Sequence, residues 1–215
     1  MRVIGIDEAG RGPVLGPLVL CGVRANAQQR EQLRAIGVAD SKRFTGSNAA
    51  AQRRKLAEQI TVITEVELAL IDSATIDHWV LHGQGLNALE RSYATAILER
   101  LGEAERIVAD GKTLFSPLAT RFPQLEALDR AESADVCVAA ASICAKHARD
   151  TALAQLLAPY HQRFGEIRGG GYPNAATARF LRGCQEQLGA LPDGLRRSWG
   201  WSELQVLLAR EAEPG

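Results

Sequence analysis

The chain reads as an α/β protein: a mixed central β-sheet flanked by helices, followed by a helical C-terminal extension. Three observations predict this. Short apolar runs of strand length, Val3-Ile4-Gly5-Ile6 and Arg106-Ile107-Val108-Ala109, stand far apart in the chain, with helical patterns between them. Leu86, Leu89, Tyr93, Ile97 and Leu101 recur at helical spacing just before the second run. Beyond Val138 the patterns are almost all helical. Interleaved strands and helices put helices against a sheet.

The elements follow in order. Val14 to Val23 is a second apolar run, entered through Gly12-Pro13 and broken by Gly16-Pro17; with the first strand it suggests a hairpin closed by a tight turn. Glu31 to Ile36 reads as a short helix ending at Gly37. Ser47 to Ile60 reads as a helix capped by Ser47 or Asn48. Thr61 to Leu70 alternates and is rich in β-branched residues, as strands are. Val138 to Leu157 is the longest helical pattern. Its first half, Ala139-Ala140-Ala141-Ser142-Ile143-Cys144-Ala145, is nearly all small, which lets a helix lie close to a sheet. Arg168-Gly169-Gly170-Gly171-Tyr172-Pro173 reads as a loop around one ring, and Asn174 as the cap of the next helix. Ser202-Glu203-Leu204-Gln205 fits a capping box for the last helix. We expect residues 1–164 to form the main domain and residues 165–215 a helical extension packed on it.

Composition narrows the function classes. With 25 basic and 25 acidic residues in 215, the formal net charge is zero, so any polyanion site must come from local clustering. Four scattered cysteines, Cys21, Cys137, Cys144 and Cys184, form no C-x-x-C pair and read as buried free thiols of a reducing compartment. No secretory signal pattern opens the sequence and no apolar run approaches membrane length. A cytoplasmic protein with no membrane partner is expected.

Asp7-Glu8-Ala9-Gly10-Arg11-Gly12 carries the strongest chemical signal. Two adjacent carboxylates at a strand end are costly unless something cationic satisfies them. The glycine-arginine-glycine that follows can set backbone N–H groups and one guanidinium beside them. Asp110 ends a second strand, and Glu132 and Asp135 sit before the small-residue helix. Carboxylates from separate elements make an oxygen-rich cage suited to Mg²⁺ or Mn²⁺, since no His/Cys set has zinc spacing. Each acid alone also reads as a solvated group or helix cap. Lys42, Lys146 and Arg149 supply basic charge near these acids in sequence. Lys146 lies one helical turn after Ser142. Tyr172 among glycines can pack on a base or sugar, or simply anchor its loop.

Together these residues resemble ribonuclease HII, the type 2 ribonuclease H family. The matching blocks are Gly5-Ile6-Asp7-Glu8-Ala9-Gly10-Arg11-Gly12-Pro13, Asp40-Ser41-Lys42, Val108-Ala109-Asp110-Gly111, Ala139 to Lys146 with Arg149-Asp150, and Gly171-Tyr172-Pro173. The resemblance implies a ribonuclease H-like fold. It also implies cleavage of RNA paired to DNA, and cutting 5′ of single ribonucleotides embedded in duplex DNA, by two metal ions. Asp7, Glu8 and Asp110 match three of the family's metal-binding acids. The fourth is usually aspartate; at that position this chain has Glu132, as in the related ribonuclease HIII, with Asp135 the nearby alternative. Gly10, Arg11 and Gly12 match the element that reads the 2′-hydroxyl, Tyr172 the ring at the RNA–DNA junction, and Lys42, Ser142 and Lys146 substrate contacts. An enzyme acting on long hybrids only, a binding protein that has lost catalysis, and a metal-dependent phosphatase or nuclease with another substrate are the competing readings. Leu208 to Gly215 carries no aromatic pair and so no recognisable clamp-binding tail, and a monomer is expected.

Overall fold

The computed structural model describes residues 1–39 and 48–212. Asp40, Ser41, Lys42, Arg43 and the Ser47 cap lie outside the described residues. The elements in chain order are β1 (Val3–Ala9), β2 (Leu18–Ala25), α1 (Ala27–Ala35), α2 (Ala49–Ile63), β3 (Glu65–Ile71), α3 (Ser73–His82) and α4 (Leu86–Leu101). Then come β4 (Arg106–Asp110), α5 (Lys112–Phe115), β5 (Leu125–Leu128), α6 (Val136–Leu157), α7 (His161–Phe164), α8 (Ala175–Leu188) and α9 (Ser202–Ala212). By packing, the chain divides into two compact units. One comprises Met1–Ala9, Val19–Leu70 and Asn87–Ala148, the other Gly10–Leu18, Ile71–Leu86 and Arg149–Gly215. The 164/165 division follows chain order, whereas these units each gather separated segments.

The first unit holds the sheet, ordered β3-β2-β1-β4-β5. β1 runs antiparallel to β2, from Val3↔Ala25 to Ala9↔Val19. It runs parallel to β4 on its other side, and β4 runs parallel to β5. Alternation along β1 sends successive residues to opposite faces. On one face lies α6: a Cβ at Gly5 would stand 2.2 Å from the Val138 nitrogen, so only glycine admits the helix backbone there. The alanines that follow, Ala139, Ala140, Ala141 and Ala145, are buried and continue this close approach. On the other face lies α4, with Ile97 and Leu101 over Gly22 beside Ile6. Val3, Val19, Cys21, Val23 and Val108 pack with Leu33, Leu56, Ile60 and the inner side of α6. Each such fully buried aliphatic side chain contributes roughly 1.5–3 kcal/mol of transfer free energy. The four cysteines are free and buried.

In the second unit Val14 and Leu15 pack with Leu153, Leu157, Phe180, Leu181, Leu195 and Leu204. Phe180 meets Tyr160 and Phe164 edge to face, at 5.4 and 5.6 Å between centroids. Asn174 caps α8, its side-chain oxygen accepting from the N–H groups of Ala176 and Thr177.

Several expectations are corrected. β1 and β2 do pair, but residues 10–17 join them, too long a segment for a tight turn. α1 begins earlier than Glu31, at Ala27, because Asn26 and Gln29 close a reciprocal capping box. Asn48 stands at the N-cap of α2 but makes no side-chain cap bond. Thr61, Val62 and Ile63 belong to α2 and not to a strand. Ile60 and Ile63 pack on the core, and the Thr64 N–H and hydroxyl both close on the Ile60 carbonyl, at 2.9 and 2.8 Å. Tertiary packing overrides their β-branched preference. α3, capped by Asp72, and the short strand β5 were not expected. At α9 the Gln205 amide donates to the Trp199 carbonyl at 2.9 Å instead of reaching back to Ser202. Among the described residues no helix is long and apolar enough to cross a membrane.

Candidate active site

The acids gather in the first unit because parallel strands end side by side. The register Gly5↔Val108 and Ile6↔Ala109 carries Asp7 and Asp110 to neighbouring strand ends. Asp7 shares the Gly5 face, toward α6, and is buried. Its Oδ1 accepts the Glu8 N–H at 2.8 Å, and its carboxyl also hydrogen-bonds the Ser142 hydroxyl. The Ser142 oxygen in turn accepts from Lys146 Nζ at 2.8 Å. Lys146, Ser142 and Asp7 thus form one donor chain across a turn of α6. Burial first, then the Glu8 charge and to a lesser degree that of Asp110, push the Asp7 pKa up to about 8, against the pull of Ser142 and the Glu8 N–H.

Asp110 is gripped from the 130–132 turn. Its Oδ1 accepts the Ala131 N–H at 3.0 Å, and the Arg130 backbone adds a second hydrogen bond. Arg130 adopts a left-handed φ of 59°, alone among the described non-glycine residues. The next residues form a short 3₁₀ turn that brings Glu132 onto Asp110. Burial raises the Asp110 pKa, and its hydrogen bond to Glu132 raises it further. Two carboxyls in contact hold together through a shared proton or a cation. Asp135 is placed elsewhere: it pairs with Arg106 at 3.2 Å and accepts the Cys137 N–H at 2.8 Å at the start of α6.

Asp7 with Glu8 and Asp110 with Glu132 therefore offer hard oxygen donors, and at Asp7 and Asp110 the fold disfavours the negative charge. A hard divalent cation relieves this, so the donor chemistry fits Mg²⁺ or Mn²⁺. Among the described residues no three Asp, Glu, His or Cys side chains converge as a finished ligand group.

The glycine-arginine-glycine loop and Tyr172 lie in the second unit. Gly10 has φ +88°, and a Cβ there would stand 2.6 Å from the Pro17 carbonyl oxygen. Tyr172 is half exposed, with its ring edge 3.4 Å from where a Gly12 Cβ would stand. The Gly171 carbonyl accepts from the N–H groups of Val14 and Leu15, at 2.8 and 3.1 Å. Buried Arg149 donates to the Gly170 carbonyl at 2.6 Å, its guanidinium 5.8 Å from the Tyr172 ring centre. Lys42 falls outside the described residues.

Two residues of this loop's surroundings escaped sequence reasoning. Arg196, fully buried, donates to the carbonyls of Gly10 (2.6 Å), Arg11 (3.2 Å) and Gly16 (3.0 Å). Trp199 donates its indole N–H to the Gly12 carbonyl at 3.1 Å. Nothing local in Leu195-Arg196-Arg197-Ser198-Trp199 signals either contact, because the partners are at the opposite end of the chain.

Comparison with known proteins agrees with this geometry. The profile of the family described as "Ribonuclease HII" matches residues 4–201. Ribonuclease HII of Methanothermobacter thermautotrophicus is 36% identical over 207 residues, covering 93% of this chain and 96% of its own. Among solved structures, ribonuclease H2 of Pyrococcus horikoshii superposes with a TM-score of 0.82 at 30% identity, covering both chains entirely. Ribonuclease HII of Archaeoglobus fulgidus, solved in complex with PCNA, gives 0.77 at 28% identity, covering 93% of this chain and 95% of that one. With both sequence and fold in agreement over nearly the whole chain, this protein belongs to the ribonuclease HII family.

Proposed function

We propose that this chain is a metal-dependent endoribonuclease. It hydrolyses the RNA strand of RNA–DNA hybrids and cuts 5′ of single ribonucleotides embedded in duplex DNA, leaving 3′-hydroxyl and 5′-phosphate ends. The observation that carries this reading is the acid pair of buried Asp7 and half-buried Asp110 at adjoining strand ends, with Glu8 and Glu132 against them, in a chain of this family.

Asp7, Glu8, Asp110 and Glu132 would hold Mg²⁺ or Mn²⁺, two ions during catalysis, which when bound lower the pKa of a water and neutralise charge developing at the phosphate. The protein's own groups prepare that site. Ser142, supported by Lys146, fixes the Asp7 carboxyl, while the 130–131 backbone fixes Asp110. Backbone N–H groups of the Gly10–Gly12 loop read the 2′-hydroxyl, the group that distinguishes RNA at a given sugar. Arg11 adds charge beside that sugar's phosphate. The Tyr172 ring stacks on the sugar at the RNA–DNA junction, and Lys42 contacts phosphate. Glu132 favours one further reading, an enzyme acting on long hybrids only, because glutamate is the ribonuclease HIII residue at that place.

One assay tests both: duplex DNA carrying one ribonucleotide, a long RNA–DNA hybrid and all-DNA duplex, each with Mg²⁺ and with Mn²⁺. A cut immediately 5′ of the ribonucleotide, with all-DNA intact, is the expected result. Cleavage of the long hybrid alone would move the assignment to the second reading. Inactivity on every substrate would overturn both in favour of a binding protein.

A further inference from the structure

The carbonyl groups of Gly10, Arg11 and Gly12 are all held from one side, within a single compact unit. Arg196 takes the first two and Trp199 the third. Arg196 is locked in turn. Its N–H donates to the Val14 carbonyl at 2.8 Å, its Nε to the Gly16 carbonyl at 3.0 Å, and its guanidinium stacks 4.9 Å from the Trp199 ring centre. The turn bearing both residues hangs on one carboxylate of α3. Asp77 accepts from the Arg197 N–H (2.8 Å), the Ser198 N–H (2.9 Å) and the Ser198 hydroxyl (2.6 Å). Arg197 is tied separately to Glu211 at 2.5 Å.

This has a directional consequence. All described peptide bonds are trans, so each carbonyl points opposite to the N–H of the following residue. Fixing the Gly10 and Arg11 carbonyls toward the guanidinium aims the Arg11 and Gly12 N–H groups away from it. The Gly12 carbonyl belongs to the peptide of Pro13, which has no N–H to aim. Within residues 10–12 the clamp therefore orients two donors, the N–H groups of Arg11 and Gly12. A carbonyl that accepts from a cation also polarises its peptide and strengthens the N–H at the other end.

We propose that Arg196 and Trp199, anchored by Asp77, are positioning residues that aim the Arg11 and Gly12 N–H groups and so set how strongly the protein prefers a ribose over a deoxyribose. This rests on the Gly10–Gly12 loop being the 2′-hydroxyl reader. Arg196 acts on the two peptides directly and Trp199 acts through the guanidinium it stacks on, so the loss of either weakens sugar discrimination.

The test is binding without cleavage. Dissociation constants are measured in chelator for two duplexes of one sequence, carrying a ribonucleotide or a deoxyribonucleotide at one position. The proteins compared are wild type, Trp199→Leu and Asp77→Asn. Trp199→Leu removes the ring stacked on the Arg196 guanidinium at a partly exposed position, so it reports even if Asp77→Asn folds poorly. We expect wild type to prefer the ribonucleotide and each variant to lose about fivefold or more of that preference, as the loss of one oriented hydrogen bond allows, with deoxyribonucleotide affinity unchanged. Affinities that fall equally for both duplexes, or a preference that persists, would overturn the proposal. A wild type with no preference would instead remove the reader assignment on which it rests. Amide exchange gives an independent readout: faster exchange at Arg11 and Gly12 in Trp199→Leu is expected, and unchanged exchange there counts against the clamp.

Discussion

The carboxylate cluster and the glycine-arginine-glycine loop solve opposite problems. In the cluster, side chains of one sign are crowded and partly buried, and Asp7 and Asp110 carry raised pKa values. In the loop three successive backbone carbonyls are bonded to buried or stacked donors. The cluster is held short of charge balance, which suits the proposed cation site. The loop is over-determined before any ligand arrives. A site that binds metal gains from stored electrostatic cost, whereas a site that reads one hydroxyl gains from rigidity.

The largest effect that would break this comparison is at Asp7. Replacing it by asparagine should lower cleavage by roughly a hundredfold or more, beyond the 10–100-fold typical of groups that only support a metal ligand. The same change should stabilise the metal-free protein. In the folded state Asp7 keeps its proton to about pH 8, whereas the unfolded chain releases it near 3.8. Between those values the native state holds the extra proton, so wild-type stability falls as pH rises through the window. Asparagine has no such loss. The melting-temperature advantage of Asp7→Asn in chelator should widen from about pH 4 to about pH 8 and then level off. An advantage independent of pH would show that the cluster stores no charge cost.

Glu132 and Asp135 sharpen the contrast inside the acidic region. Glu132→Gln should reduce cleavage by about 10–100-fold with little change in stability. Asp135→Asn should leave cleavage nearly intact and cost at most about 1 kcal/mol, since its Arg106 partner is partly exposed and solvent screens the pair. Reversed outcomes in cleavage assays and urea titrations would exchange their roles.

How far these regions were legible in the sequence follows the same divide. Asp7, Glu8 and Asp110 announce themselves because they end apolar strand runs, and the small residues from Ala139 to Ala145 foretell a helix laid close to a sheet or another backbone. Only the resemblance sets Glu132 ahead of Asp135 in the sequence. What the sequence does not show is the left-handed turn at Arg130 that precedes Glu132 and the Arg106 side chain that takes Asp135. The loop's glycines are visible, but its support is not. Nothing in the sequence sets Arg196 apart from its neighbour Arg197, and only the fold buries it. Thr61 to Ile63 misled for a related reason: local preference named a strand where packing against the core decided for a helix.

On the loop side, Gly10→Ala attacks rigidity directly. A left-handed φ costs a side chain roughly 1–2 kcal/mol, and the 2.6 Å approach to the Pro17 carbonyl leaves no room for relaxation. A loss of about 2–3 kcal/mol in urea titration is expected, in the range of strained backbone sites. A loss under about 0.5 kcal/mol, the size of an ordinary surface change, would mean the loop is softer than its hydrogen bonds imply.

Tyr172 gives the smallest effect and the finest test. Its ring is half exposed and faces Gly12, so removing it forfeits little buried area. A ring that stacks on substrate is worth about 1–3 kcal/mol by alanine substitution, which predicts about a tenfold or greater fall in cleavage at an embedded ribonucleotide for Tyr172→Ala. Tyr172→Phe keeps the ring and should keep the rate, because the face and not the hydroxyl makes the contact. Both variants should melt close to wild type. If Tyr172→Ala loses stability and activity in proportion, the ring is an anchor for Gly169–Gly171, and the loop's rigidity comes from two supports instead of one. If only Tyr172→Phe loses activity, the hydroxyl is the working group and stacking is the wrong chemistry for this position.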